Sequence, residues 1–293
     1  GRLMFYSVRD ITILEYDEPV REHVVEIRKK PRDDERQRCL HYDLELSHDA
    51  RLYHYTDYLG NVVDHFDVPQ ALKELTIEAQ AMVELLQLPY VLLESEWDEV
   101  DAMLEAFGGH EMLLTSPGIP DTVELREFET SLGLGASEGP LEYVLRLSKA
   151  IHDRFEVGEN GDLRAALKNG RTCSRIFAHM MIGLSRRAGL PARVCRGYLS
   201  PDPEAFRVPP AAPHFWAEVC LPRLGWVGFD PANGVMAEEK HICVSLGRDA
   251  EDVEHFRSVH QGQAKCVTRW AIDVHRAEQR GAASIEGLLQ TAE

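Results

Sequence analysis

Hydrophobic and polar positions alternate with a period of two through much of the first 88 residues, the pattern of strands with one buried and one wet face. Leu40, Tyr42, Leu44 and Leu46 alternate with His41, Asp43 and Glu45. Leu75, Ile77, Ala79, Ala81 and Val83 alternate with Thr76, Glu78, Gln80 and Met82. Gly60-Asn61, between a Tyr-rich and a Val-rich run, predicts a hairpin turn. Residues 1–88 therefore read as an antiparallel, sandwich-like β domain. Residues 89–138 differ: from Glu94 to Glu129 eleven acids stand against one base, Arg126, and Pro89, Pro117 and Pro120 punctuate the run. This segment reads as an acidic, partly helical connector whose charge is a solvated face.

After Gly139-Pro140 the period changes to that of a helix, and proline suits a first helical position. Leu141, Val144, Leu145, Ile151 and Phe155 form one stripe. Asp162 reads as the cap of a short helix ending at Asn169-Gly170. A further helix follows Cys173, with Ile176, Phe177, Met180, Met181 and Leu184 on one face and Gly189 and Pro191 as its stop. Strands are predicted over 193–199, 214–221, 225–230, 242–246 and 266–274, and the tail after His275 is small and polar, the composition of a mobile end. The expected fold class is α+β: an N-terminal antiparallel β domain (1–88), the connector (89–138) and a core (139–293) in which a cysteine-bearing helix packs on an antiparallel sheet.

Composition narrows the function. The chain has 293 residues, 44% of them hydrophobic, and 32 Lys plus Arg against 49 Asp plus Glu, a net charge of −17. That average surface repels a polyanion, so nucleic acid is not an expected partner. No run approaches the roughly 20 apolar residues that cross a bilayer, so no membrane partner is expected. The first ten residues lack the shape of a signal peptide, although a chain starting at Gly1 leaves a processed end open. Six cysteines (39, 173, 195, 220, 243, 266) include no C-x-x-C pair. Neither a dense disulfide framework nor a zinc ribbon is expected, and a reducing cytoplasm is the default location. Cys195, Cys220, Cys243 and Cys266 fall on predicted strands and are expected in the core. His255 and His260 lack companions at metal-ligand spacing.

Cys173 stands at the start of its helix, where unpaired N–H groups and the helix dipole favour a thiolate and can hold a developing oxyanion. A nucleophile also needs a base, and the base an orienting acceptor. His214 lies eight residues before Pro222 and Asp230 eight after it, in two predicted strands around residues 221–224. A hairpin there makes them cross-strand neighbours, directly opposite or, with a loop shifted by one or two residues, diagonal. Asp230 can then accept from one imidazole nitrogen and leave the other for the thiol. His179, six residues after Cys173, is about 240° around the helix and reads as a packed histidine. Trp216 and Trp226 read as sheet packing.

The runs GRTCSRIFAHMMIGLSRRAGLPARVCRGYL, HFWAEVCLPRLGWVGFDPANG and HICVSLGRD resemble the bacterial transglutaminase-like cysteine peptidases of the papain-like superfamily. YDEPV, the Cys39 strand and DYLGNVVDHF resemble that family's N-terminal β domain. The resemblance implies Cys173 as nucleophile, His214 as base and Asp230 as orienter, with no metal or organic cofactor; calcium has no support, because the acids show no EF-hand spacing. Many relatives carry a small residue and Val before the cysteine and an acid two places after it. Here Arg171 and Thr172 precede Cys173 and Arg175 follows, so the family's detailed pocket does not transfer.

The implied reaction is attack on a peptide or carboxamide bond of a protein or peptide substrate through a thioester. Hydrolysis is favoured over transfer to an amine such as lysine, since water needs no acceptor pocket. A non-catalytic binding module on the same fold is the rival from another class. Substrate identity and oligomeric state stay open. Iodoacetamide near neutral pH is expected to label Cys173 faster than the other five thiols, as read by mass spectrometry; equal or slower labelling would count against an activated thiol.

Overall fold

The computed structural model describes residues 2–87, 93–135, 139–159, 161–202, 204, 206–209, 212–254 and 256–277. His255 and the tail beyond 277 lie outside the described residues. Five strands open the chain: β1 (Arg2–Ile27), β2 (Gln37–Leu46), β3 (Arg51–Thr56), β4 (Val62–Val68) and β5 (Leu72–Gln87). Helices α1 (Glu99–Phe107) and α2 (Val123–Leu132) follow, with a short 3₁₀ turn at His110–Leu113 between them. Then come α3 (Pro140–Arg154), β6 (Glu156–Val157), α4 (Leu163–Asn169), β7 (Arg171–Thr172) and α5 (Ser174–Arg187). The chain continues through β8 (Ala192–Leu199), β9 (His214–Leu221), β10 (Gly225–Asp230), β11 (Val235–Met236), β12 (His241–Gly247), β13 (Phe256–Gln261) and β14 (Cys266–Ala277). The fold class is α+β, as expected.

The predicted alternation in β5 holds, with Leu75, Ile77, Ala79, Ala81 and Val83 all buried. In β2 it holds only in part. The β2–β5 ladder pairs Cys39 with Val83 and His41 with Met82, so Leu40 is the extra residue of a bulge. The strand changes face there, and Leu40 is 48% exposed while Tyr42, Leu44 and Leu46 point inward. The Gly60-Asn61 turn forms between β3 and β4, with Gly60 at φ 80°, a region that favours glycine.

β1 is long enough to serve two regions of one sheet. Its first half pairs β5 and β14, and its second half pairs β4 and β13, with a register shift between Glu15 and Val20. The strand expected at 266–274 therefore forms, but it joins the N-terminal sheet, against the expected placement of residues 139–293 in one core. A single strand's pattern shows that it has a partner, not which one. Cys266 faces solvent there, correcting its expected burial.

The second sheet has the order β11-β10-β9-β8-β12 and is antiparallel. On one side it packs α5, whose surface is buried almost all round because α2, α3 and α4 cover what the sheet does not. The expected stripe of Ile176, Phe177, Met180, Met181 and Leu184 is part of that core. On the other side Tyr198, Ile242 and Val244 share a cluster with Met4, Tyr6, Val8, Val83 and Ile272 of the N-terminal sheet. Cys195 and Cys243 are joined by a disulfide across β8 and β12, against the expectation of six free thiols. No helix of the described residues is long and apolar enough to cross a membrane.

β12 lies at the edge of its sheet, and its unpaired backbone groups are met by two side-chain amides of the N-terminal region. Gln37 Nε2 donates to Cys243 O and its Oε1 accepts from Cys243 N, both at 2.8 Å. Asn61 does the same at Leu246, again at 2.8 Å each way. An amide side chain offers the donor and acceptor that a strand neighbour would. Between the sheets, Asp10 accepts from Lys29 Nζ and from Tyr198 Oη (2.6 Å), and Lys29 also donates to Thr12 Oγ1 at 2.7 Å. Arg196, 1% exposed, lies in the field of the same carboxylate.

Removing one partner of a buried ion pair strands the other charge. Asp10→Ala is expected to lower unfolding stability by about 3–5 kcal/mol in urea titration, and adding Lys29→Met to restore part of it. A loss below about 1 kcal/mol would show that Asp10 does not hold the interface.

Candidate active site

Gly170, at φ 67°, ends α4, whose first turn is capped as expected by Asp162 Oδ1 accepting from Ala165 N at 2.8 Å. The chain then runs through β7, parallel to β6, and delivers Cys173 to the N-cap of α5. Cys173 is extended (φ −86°, ψ 163°), and its carbonyl accepts from Ile176 N and Phe177 N. Its half-buried side chain makes no capping hydrogen bond, so sulfur is not consumed by the helix it starts. One residue on from Cys173 and His214 respectively, Phe215 N donates to Ser174 Oγ at 3.3 Å. That bond ties the start of β9 to the start of α5 and brings the His214 end of the strand against the Cys173 end of the helix.

The β9–β10 ladder pairs Phe229 with Ala217 and Gly225 with Leu221. The turn is thus centred one residue later than Pro222, and His214 and Asp230 take the diagonal relation rather than the opposed one. They meet all the same: His214 Nε2 and Asp230 Oδ2 are 2.7 Å apart, and both side chains are fully buried. His214 Nδ1 is buried with no hydrogen-bond partner among the described residues. Trp216 stacks near the His214 ring at 6.0 Å between centroids, with its own side chain in the sheet core.

Two residues at this carboxylate were not anticipated. His241 Nε2 lies 2.9 Å from Asp230 Oδ2, and Asn233 Nδ2 donates to the same oxygen at 2.8 Å. Asn233 N donates to Asp230 Oδ1 at 3.2 Å, closing an Asx-type turn. Asn233 Oδ1 in turn accepts from Arg207 N (2.8 Å) and Val208 N (3.0 Å), which fastens the preceding loop to the carboxylate. The turn DPANG carried a local signal for Asn233. His241 carried none beyond its place at the head of an apolar strand, because its approach depends on β12 lying across β8.

Burial alone would raise the Asp230 carboxyl, but the charges and hydrogen bonds of His214 and His241 outweigh it and hold the group far below the usual carboxylate range. His241 is pushed down by burial, against the pull of Asp230. His214, Asp230 and His241 offer ligand atoms within 4.8 Å of one another, a spacing open to a metal ion. One carboxylate oxygen shared by two rings and an amide is equally satisfied by hydrogen bonds alone, and the sulfur is not in that set. His179 is the packed histidine expected: it is buried and its Nε2 accepts from Ala250 N at 3.1 Å. Trp226 packs under Arg193, 4.0 Å from the ring centroid. His260 lies against Tyr16 and His23 in the N-terminal sheet.

Residues 131–231 match the transglutaminase-like superfamily, and residues 6–84 match the bacterial transglutaminase-like N-terminal region. An uncharacterized protein of Mycobacterium leprae is 27% identical over 268 residues, 89% of this chain and 95% of that protein. One of Mycobacterium tuberculosis is 30% identical over 257 residues, 78% of this chain and 79% of its own length. Among solved structures, a Putative Cysteine Protease from Cytophaga hutchinsonii superposes with a TM-score of 0.71 at 16% identity, covering 96% of this chain and 93% of its own. That likeness establishes a shared fold.

His179 generates a pH test. Burial, with the nearby Arg175 charge, pushes it down to about 4 from 6.5. A depressed histidine leaves the unfolded chain holding the extra proton between those values, so stability is intact above about 6.5 and falls as pH drops toward 4. Urea midpoints should decline across that window, and less steeply in His179→Gln. Parallel curves for the two proteins would remove His179 as a source of the decline.

Proposed function

We propose, for a chain that belongs to the transglutaminase-like superfamily, that it hydrolyses peptide or carboxamide bonds with Cys173, His214 and Asp230 as its triad. The observation that carries this reading is the state of His214. Its Nε2 is committed to Asp230 while Nδ1 has no hydrogen-bond partner among the described residues. An anionic Asp230 demands a proton on Nε2, so Nδ1 keeps its lone pair and can act as base. The Phe215–Ser174 bond supports Cys173 as the source of the proton.

In the proposed sequence His214 Nδ1 takes the Cys173 proton, and sulfur attacks the carbonyl carbon. The oxyanion is held by N–H groups at the start of α5. As the tetrahedral intermediate collapses, the C–N bond breaks and His214 returns its proton to the departing amine. Water, deprotonated by the same ring, then attacks the thioester and releases the acid, restoring the thiol. Asp230 stays ionised throughout and stabilises the imidazolium. His241 and Asn233 keep its carboxylate in place. A non-catalytic role for the fold has no comparable support, since an inert scaffold does not require a buried imidazole paired to a carboxylate with its other nitrogen unpartnered among the described residues.

Cys39 and Cys220 are pushed up to about 11 by burial, and the disulfide removes two further thiols, so the labelling competition narrows to Cys173 and Cys266. Against a peptide and amide library, Cys173→Ala should abolish turnover, and Asp230→Asn should lower kcat at least about 100-fold while leaving the fold cooperative. Release of acid regardless of added free amines identifies hydrolysis; an amine-dependent conjugate replacing the acid would identify acyl transfer. Undiminished turnover in Cys173→Ala would end the proposal.

A further inference from the structure

We propose that a groove of about 630 Å³ beside the triad is a subsite for a carboxylate on the substrate, making this chain selective for acidic peptides. This rests on the hydrolytic reading above and adds the substrate class to it. The groove is lined by His152, Asp153, Arg154, Glu156, Arg171 and Arg207, with backbone of the turn that ends α4.

Its position follows from the chain. Arg171 is two residues before Cys173 on β7, about 7 Å along an extended strand. On the other wall, Arg207 Nε and Nη2 donate to Ala232 O at 3.1 and 2.9 Å, two residues past Asp230. The groove thus abuts the segment that delivers the sulfur and the turn that holds the carboxylate of the triad.

Its charge follows from the pairing of each ion. Asp153 is satisfied by Lys149 at 2.6 Å, and Glu156 faces Arg171 at 3.7 Å. Arg207 directs its donors to backbone and ring atoms: besides Ala232 O they reach His152 O (3.3 Å) and His152 Nδ1 (2.6 Å). The same Nδ1 lies 3.1 Å from Pro231 O, so the ring is fixed between the Arg207 loop and the turn after Asp230. Arg154 is exposed at the end of α3, and among the described residues no carboxylate pairs with it or with Arg207. Two guanidinium groups with no ion-pair partner within 4 Å among the described residues therefore flank one groove, which also holds Asp153 and Glu156, on a chain of net charge −17 whose average surface repels acidic ligands. Arg207 is held by backbone acceptors and through Asn233, so it is preorganised; Arg154 is free to close over a bound carboxylate in a forked contact.

The test measures binding in the full chain carrying Cys173→Ala, so that it does not depend on turnover. The probes are an N-acetylated, C-amidated pentapeptide with glutamates flanking a central glutamine, and its counterpart with glutamine at those two positions. Calorimetry should show the glutamate peptide binding about fivefold more tightly in about 50 mM salt, with the preference lost in about 500 mM salt and in Arg154→Glu, and retained in Arg154→Lys. Equal affinity for the two peptides, no binding of either, or a preference that survives Arg154→Glu would overturn the subsite. Binding as expected, with no turnover of the same peptide by the unmodified chain, would instead overturn the hydrolytic reading and leave the subsite standing.

Discussion

The ionised carboxylate of Asp230, withdrawn completely from water, is the constraint around which the core is arranged. A buried charge is tolerated only when its lone pairs are occupied. Here Oδ2 meets His214, His241 and Asn233, and Oδ1 meets the Asn233 backbone. Satisfying it draws together the start of β9, the end of β10, the turn beyond it and the start of β12. The same requirement sets the tautomer of His214, because the ring nitrogen facing an anion must carry the proton. Structure and proposed chemistry thus share one cause: the groups that make the carboxylate bearable inside the protein are those that leave Nδ1 free to act on a thiol.

That arrangement depends on a sheet whose edge is held from outside. β12 brings His241 to Asp230, yet its outer backbone groups face the N-terminal region, where Gln37 and Asn61 stand in for a missing strand. The Asp10–Lys29–Tyr198 group adds a buried ionic contact at the same boundary, and β13 and β14, which follow the core in sequence, return to pair with β1. The N-terminal β region is therefore part of what positions the core sheet, which gives a physical reason for the two regions to occur together.

Much of this was legible in the residues. The capped start of α4, proline opening α3, the apolar stripe of α5 and the bounds of β9 and β10 are local features, and each formed where its pattern placed it. Cys173 at a helix start and the pairing of His214 with Asp230 were legible because both follow from short-range geometry: one from a cap, the other from a hairpin. The slip of that hairpin by one residue did not separate them, since two side chains on the same face of adjacent strands reach each other along the diagonal as well as directly across.

Apart from Asn233, three residues from Asp230, what escaped reading was a matter of partners distant along the chain. Leu40 alternates correctly with its neighbours, and the bulge that exposes it is visible only against β5. Cys195 and Cys243, 48 residues apart, carry no pairing signal until β8 and β12 lie side by side. Asn61 looked like a turn residue and is one, but its side chain spans to Leu246; His241 stands just before the expected strand 242–246 and shares the Asp230 carboxylate. Periodicity and capping are properties of a few consecutive residues and can be read where they stand. Which strand lies beside which depends on how all the apolar faces are buried at once, and that choice exists only in the assembled molecule.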